Sequence, residues 1–197
     1  MKALLCKTHG NPEEMVLEEV SSPTPGPGQL MIRVKACGVN FPDSLIIQNK
    51  YQFKPDLPFS PGGEVAGIVT AIGERIKHVK VGDTAFALTG WGGFAEEVVA
   101  DGFKTMLIPS GMDFITAATT MYTCGTSLHA LKQRAQLQKG ETLLVLGAAG
   151  GVGLAAVQIG KLMGAKVIAA ASSDDKLAIC KALGADEVIN YKTQDLK

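Results

Sequence analysis

The stretch Thr142-Leu143-Leu144-Val145-Leu146-Gly147-Ala148-Ala149-Gly150-Gly151-Val152-Gly153 decides the fold. A short apolar run of β type enters a cluster of glycines, and from Gly151 to Met163 apolar residues recur at helical spacing until Gly164 closes the pattern. Glycines in this order are a weak signal alone and a useful one between a strand and a helix. The small residues have a physical purpose there. Gly150 lets the backbone approach a pyrophosphate, Gly153 lets the helix pack tightly against the strand, and the amino end of the helix offers unpaired N–H groups and a partial positive charge to an anion. Ala149, Gly150, Gly151, Val152 and Gly153 are therefore the expected contacts to a nucleotide; the competing reading is a turn that needs glycine only for packing.

Downstream, the alternation continues. Lys166 to Ala171 reads as a second buried strand, Ser173 or Asp174 can cap a helix that runs to Leu183 and stops at Gly184, and Glu187 to Tyr191 reads as a third strand. Strand, helix, strand, helix, strand is the first mononucleotide-binding half of a doubly wound parallel sheet. The end of its second strand selects the cofactor. NAD-binding versions place an acidic residue there, but this strand ends in Ala171-Ser172-Ser173, with Lys176 one turn into the next helix. The hydroxyls of Ser172 and Ser173 and the ammonium of Lys176 would attract a 2′-phosphate, and Tyr191 could add a hydroxyl or stack on adenine. NADPH is the expected cofactor; the plainer alternative makes the serines a helix cap and Lys176 a solvated surface residue.

Upstream, Met1 to about Pro109 shows short β-type runs punctuated by Pro and Gly: Leu17 to Val20, Gln29 to Cys37, Val65 to Ile72, Thr84 to Leu88 and Ala95 to Ala100. This spacing suggests a small, partly open all-β barrel. Between the two regions, Ala117 to Met121 and Thr126 to Leu131 carry a helical pattern.

With 197 residues, 46% hydrophobic content and no formal net charge, the chain can bury a real core and has no electrostatic footprint for nucleic acid or an anionic membrane. No segment is long and apolar enough to span a bilayer or serve as a signal peptide, so the expected location is the cytoplasm or the mitochondrial matrix. Cys6, Cys37, Cys124 and Cys180 are far apart and form no C-x-x-C, which suggests buried free thiols. His9, His78 and His129 have no metal-site spacing.

Taken together, Ala36-Cys37-Gly38-Val39-Asn40-Phe41-Pro42-Asp43, Pro61-Gly62-Gly63-Glu64-Val65-Ala66-Gly67, Val81-Gly82-Asp83, Gly92-Gly93-Phe94-Ala95-Glu96, Gly125-Thr126-Ser127 and the glycine loop resemble the medium-chain dehydrogenase/reductase superfamily. Within it, the chain resembles the zinc-free quinone oxidoreductase (zeta-crystallin-like) group. The resemblance implies an α/β plus β chain: a GroES-like, partly open β-barrel catalytic domain over residues 1–122, then the first half of a Rossmann doubly wound sheet, a partial NADPH-binding domain, over residues 123–197. Zinc-dependent relatives carry Cys at the position of Asn40 and His at that of Gly63, so no zinc is expected.

Without a Lewis acid the expected reaction is hydride transfer from NADPH to small-molecule quinones or α,β-unsaturated carbonyls, which accept hydride on carbon with weak activation of oxygen. The resemblance implies that Asn40 lines the cleft near the nicotinamide or substrate, that Tyr51 contributes a hydroxyl at its mouth, and that Thr126 flanks the nicotinamide. Asp43 is a catalytic candidate that could equally orient loops. Leu45 stands where a Tyr is common in bacterial quinone reductases, which favours a longer aliphatic enone. Family members continue past Lys197, so the chain is expected to be carboxy-terminally truncated, with weak or no turnover of its own. The full-length parent is expected to be a homodimer through a strand that this chain lacks. An enoyl-thioester reductase and a non-catalytic NADPH-binding or structural protein are the alternatives.

Overall fold

The computed structural model describes residues 1–194 and divides into two compact units, Met1–Met121 and the segment from Tyr122 onward. In the first unit β1 (Lys2–Leu5) pairs antiparallel with β2 (Val16–Glu19). A second, five-stranded antiparallel sheet has the order β6-β3-β4-β5-β7, from β3 (Gln29–Gly38), β4 (Glu64–Ile72), β5 (Thr84–Leu88), β6 (Glu97–Asp101) and β7 (Thr105–Leu107). Its alternating inward residues, Leu30, Ile32, Val65, Val69, Ala85, Ala87, Val98 and Ala100, make the core. The strands form open sheets, not a closed barrel; single bridges at Ala3–Ala95 and Cys6–Phe59 tie the amino-terminal hairpin to the rest.

The β-only reading of this region leaves out its helices, two short 3-10 turns at Pro12–Glu14 and Gly102–Lys104 and one α-helix. Helix α1 (Phe41–Ile47) starts at Asn40, with Pro in its first turn and Asp43 completing a capping box, and buries Asp43, Ile46 and Ile47. Its signals were present in the sequence, since Asn, Pro and Asp at these offsets start helices. A short helix α2 (Phe114–Ala117) follows, with Asp113 Oδ1 accepting from Thr116 N.

From Met121 to Arg134 the chain is helical, a longer span than the Thr126 to Leu131 run that the apolar spacing marks, while Ala118 and Thr119 form a turn inside the expected Ala117 to Met121 run; only Thr126–Leu128 (α3) is α-helical, and Met121–Gly125 and His129–Arg134 wind more widely as π turns. The second unit then builds β8 (Thr142–Leu146), α4 (Gly151–Leu162), β9 (Lys166–Ala171), α5 (Asp174–Ala182) and β10 (Glu187–Asn190). The three strands are parallel, in the order β10-β9-β8, and bury Val145, Val157, Val167, Ala169 and Cys180. Parallel pairing puts the carboxyl ends of all three strands on one side, where open α/β sheets bind their ligands.

Candidate functional site

At those carboxyl ends lies a pocket of about 160 Å³ lined by Gly147, Ala149, Gly150, Ala171, Ser172, Lys176 and Tyr191. Four of them are there because a strand has just ended: Gly147 follows β8, Ala171 ends β9 and Ser172 follows it, and Tyr191 follows β10. Gly147 turns the chain with φ +63, a region that side chains rarely adopt. Gly150 is the N-cap of α4, so no side chain caps that helix end and its first amides keep their affinity for an anion.

The glycines differ in what they make room for. A Cβ on Gly153 would stand 2.6 Å from Gly147 O, so the helix could not approach the loop with anything larger. A Cβ on Gly151 would stand 3.1 Å from Thr123 Cγ2. Gly150, by contrast, has φ −80, open to any residue, and a Cβ there would meet nothing nearer than Gly147 O at 3.6 Å. Among the described residues neither packing nor backbone conformation requires glycine at 150, whereas a diphosphate lying against the loop would.

The first turn of α4 is also braced from outside, because the buried Ser127 hydroxyl donates to Val152 O at 2.8 Å. The sequence gives Ser127 no evident task, since a lone serine in a helical pattern carries no such signal. Thr126, its neighbour, is exposed.

On the far wall, Lys176 Nζ donates to Ser172 Oγ at 3.4 Å. Among the described residues no carboxylate lines the pocket, and Asp174, two residues after Ser172, accepts from Asn190 Nδ2 at 2.9 Å. Ser173 is the N-cap of α5, but its hydroxyl makes no cap bond and does not line the pocket. Of the residues expected at the nucleotide, the structure thus gathers Ala149, Gly150, Ser172, Lys176 and Tyr191 around one space. Gly151, Val152 and Gly153 form the adjoining first turn of α4, and Ser173 stands aside.

In the first unit, Asn40 sits half-buried at the start of α1. Its backbone N–H donates to Asp43 Oδ2 at 2.7 Å and its side-chain Nδ2 donates to Glu64 Oε1 at 3.1 Å. Asp43 is buried, and its other oxygen accepts from Gly62 N at 3.1 Å. Burial pushes its carboxyl above the ordinary value, against the backbone N–H groups of Asn40, Gly62 and Gly63, which pull it down. Both oxygens accept from backbone N–H groups, so Asp43 ties α1 to the loop before β4. Tyr51 packs on the cluster of Cys6, Ile46, Ile47 and Phe59, with an edge-on contact to Phe53 at 5.8 Å between ring centres.

Cys37 is held as an inert thiol: burial first, then the charges of Asp43 and Glu64, push it up to about 12. Among the described residues no three His, Cys, Asp or Glu side chains converge as metal ligands do, and Asn40 and Gly63 supply neither thiolate nor imidazole. The residues do not fit a zinc ion. No helix of the described residues is long and apolar enough to cross a membrane.

Comparison with known proteins agrees with this geometry. Residues 26–110 match the alcohol dehydrogenase GroES-like domain, and residues 151–197 match the zinc-binding dehydrogenase family model. The chain is similar to quinone oxidoreductase-like protein 2 of Bos taurus, 39% identical over 197 residues, covering 100% of this chain and 56% of that protein. It is similar to the quinone oxidoreductase of Sus scrofa, 39% identical over 194 residues, covering 98% of this chain and 59% of that one. Among solved structures, the quinone oxidoreductase of Escherichia coli complexed with NADPH superposes with a TM-score of 0.90 at 31% identity, covering 100% of this chain and 60% of that chain. The chain thus spans rather less than two thirds of the length of the relatives it matches. With both units matched in order, and with the strand–glycine–helix pocket in the second, the chain belongs to the medium-chain dehydrogenase/reductase superfamily, in its quinone oxidoreductase group.

Proposed function

We propose that this chain carries the NADPH site and the substrate-orienting residues of a reductase that transfers hydride to quinones or α,β-unsaturated carbonyls without a metal. The observation that carries the reading is the pocket at the ends of β8, β9 and β10, with Ser172 and Lys176 on one wall, Gly150 on the other and, among the described residues, no carboxylate between. That the Escherichia coli relative was solved with NADPH supports it. NADPH, when bound, supplies the hydride.

The chain's own residues bind and orient. Gly150 and the uncapped first turn of α4 hold the diphosphate by backbone N–H groups. The Ser172 hydroxyl, the Lys176 ammonium and the Tyr191 hydroxyl hold the adenosine 2′-phosphate, Lys176 by charge and the hydroxyls by direction. Ser127 fixes α4 at Val152 and so keeps that turn in place. Thr126 serves the nicotinamide, while the Asn40 amide and the Tyr51 hydroxyl orient the acceptor. Quinones and enones suit this equipment because they take hydride on carbon and need only modest help at oxygen.

Fluorescence titration with NADPH and NADH tests the reading. Lys176→Ala is expected to weaken NADPH by roughly tenfold, the worth of one charge-assisted hydrogen bond, and to leave NADH unchanged. Equal affinity of the unaltered protein for the two cofactors would sink it. Turnover against quinones, alkenals and enoyl thioesters then sorts the substrate class, and NADPH binding with no turnover in a protein of the relatives' length would favour a non-catalytic role.

A further inference from the structure

We propose that Glu64 is a positioning residue whose buried carboxylate fixes which way the Asn40 side-chain amide faces. The two ends of an asparagine amide are nearly equal in size, so only hydrogen-bond partners decide which end points where. Glu64 is 1% exposed, and a carboxylate so placed must accept hydrogen bonds to be tolerated. Its Oε2 accepts from the backbone N–H of Met121 at 3.0 Å and its Oε1 from Asn40 Nδ2 at 3.1 Å.

The backbone donor cannot turn around, so the Oε2 end is committed. An acceptor-only oxygen then faces Asn40 and admits the Nδ2 end while repelling Oδ1. Asp43 meanwhile holds the backbone of the same residue through Asn40 N at 2.7 Å and anchors itself on Gly62 N at 3.1 Å, two residues before Glu64. Two buried carboxylates therefore fix one asparagine, Asp43 its main chain and Glu64 its side chain. Gly38 leaves the room, since a Cβ there would lie 2.7 Å from Glu64 Oε1 and 2.5 Å from Ala118 O.

The consequence for turnover rests on the role proposed above for Asn40; the orientation itself does not. Glu64→Gln separates them. The carbonyl of the substituted side chain must take the Met121 N–H, which leaves an NH₂ facing Asn40 and forces its amide to flip. In a protein labelled with ¹⁵N, the Asn40 NH₂ signals, identified by their loss in Asn40→Ala, are expected to move and to exchange with water at least about tenfold faster in Glu64→Gln. Unchanged Asn40 signals in this variant would overturn the proposal. Should it fail to fold, Glu64→Asp, which keeps the charge and withdraws the oxygens by one methylene, gives the same readout with the same two outcomes. In a protein of the relatives' length that turns over, Glu64→Gln is expected to lower kcat/KM about tenfold beside Asn40 and less than twofold in an Asn40→Ala background. An equal loss in both backgrounds would show a merely structural glutamate and also overturn the proposal. If Asn40→Ala alone leaves turnover intact, the reading of Asn40 at the substrate fails, while the NMR result still decides the role of Glu64.

Discussion

Around Asp43 in the first unit, the glycines make room for the chain's own atoms; at the tip of the glycine loop in the second, Gly150 makes room for nothing among the described residues. A Cβ on Gly62 would stand 2.7 Å from Phe94 and 2.9 Å from Cys37 Sγ, and one on Gly93 would stand 2.6 Å from Val65. The polar groups divide in the same way. Asp43 and Glu64 are buried and spend oxygens on backbone N–H groups, while Ser172, Lys176 and Tyr191 line a space. A glycine explained by its neighbours says nothing about a ligand. One left unexplained by packing or by φ, at an N-cap where Ser or Asp would otherwise serve better, points to something outside the chain.

The largest effect expected from that contrast falls on Asp43. Asp43→Ala leaves the N–H groups of Asn40 and Gly62 without their acceptor in a buried place, which should cost about 2–4 kcal/mol in urea denaturation. Asp43→Asn, keeping one acceptor oxygen, should recover part of it. The pH dependence has a definite sign. The folded carboxyl is raised above 3.8, so the folded state holds the proton more tightly, and this group's contribution to stability falls as pH climbs from 3.8 through its folded value. Asp43→Asn should remove that slope. If Asp43→Ala costs under about 0.5 kcal/mol, the first unit's carboxylates are not the internal ties described here.

Within the glycine loop the contrast can be tested a few residues apart. Gly153→Ala drives a Cβ into backbone atoms and should destabilise the protein by about 1–3 kcal/mol. Gly150→Ser supplies a better N-cap and should leave stability within about 0.5 kcal/mol, or raise it, while NADPH affinity drops at least tenfold by fluorescence titration. Retained NADPH affinity in Gly150→Ser would mean that the loop needs glycine for packing alone.

Much of this was legible in the sequence where one local pattern fixes the structure. β8 and β9 fall on the expected residues because an apolar run bounded by glycine leaves few alternatives, and the partners of the pocket follow once the strands are parallel. The Asn40 region was harder. Helix α1 announces itself only through its cap, and Glu64 reads as one charged residue at the start of a strand; its importance comes from meeting Asn40 and Met121, residues far from it in sequence, which no periodicity encodes. The π turns flanking Thr126 escaped for a related reason, since apolar spacing over so few residues does not separate i+4 from i+5 winding.

The smallest effect is expected at the adjacent pair Ser172 and Ser173, which the sequence treats alike. Ser172 Oγ lies 3.4 Å from Lys176 Nζ and lines the pocket. Ser173 holds the N-cap of α5 with no side-chain bond to the helix. An N-cap serine normally stabilises by about 1 kcal/mol through that bond, so without it Ser173→Ala should change stability by less than about 0.5 kcal/mol. Because its hydroxyl is off the pocket, NADPH affinity should shift less than about twofold, whereas Ser172→Ala should weaken it by roughly three- to tenfold, one neutral hydrogen bond to phosphate. A loss at Ser173 equal to that at Ser172 would mean that the bound state rotates the Ser173 hydroxyl into the phosphate site, and that the cap position is kept free of the helix for that purpose.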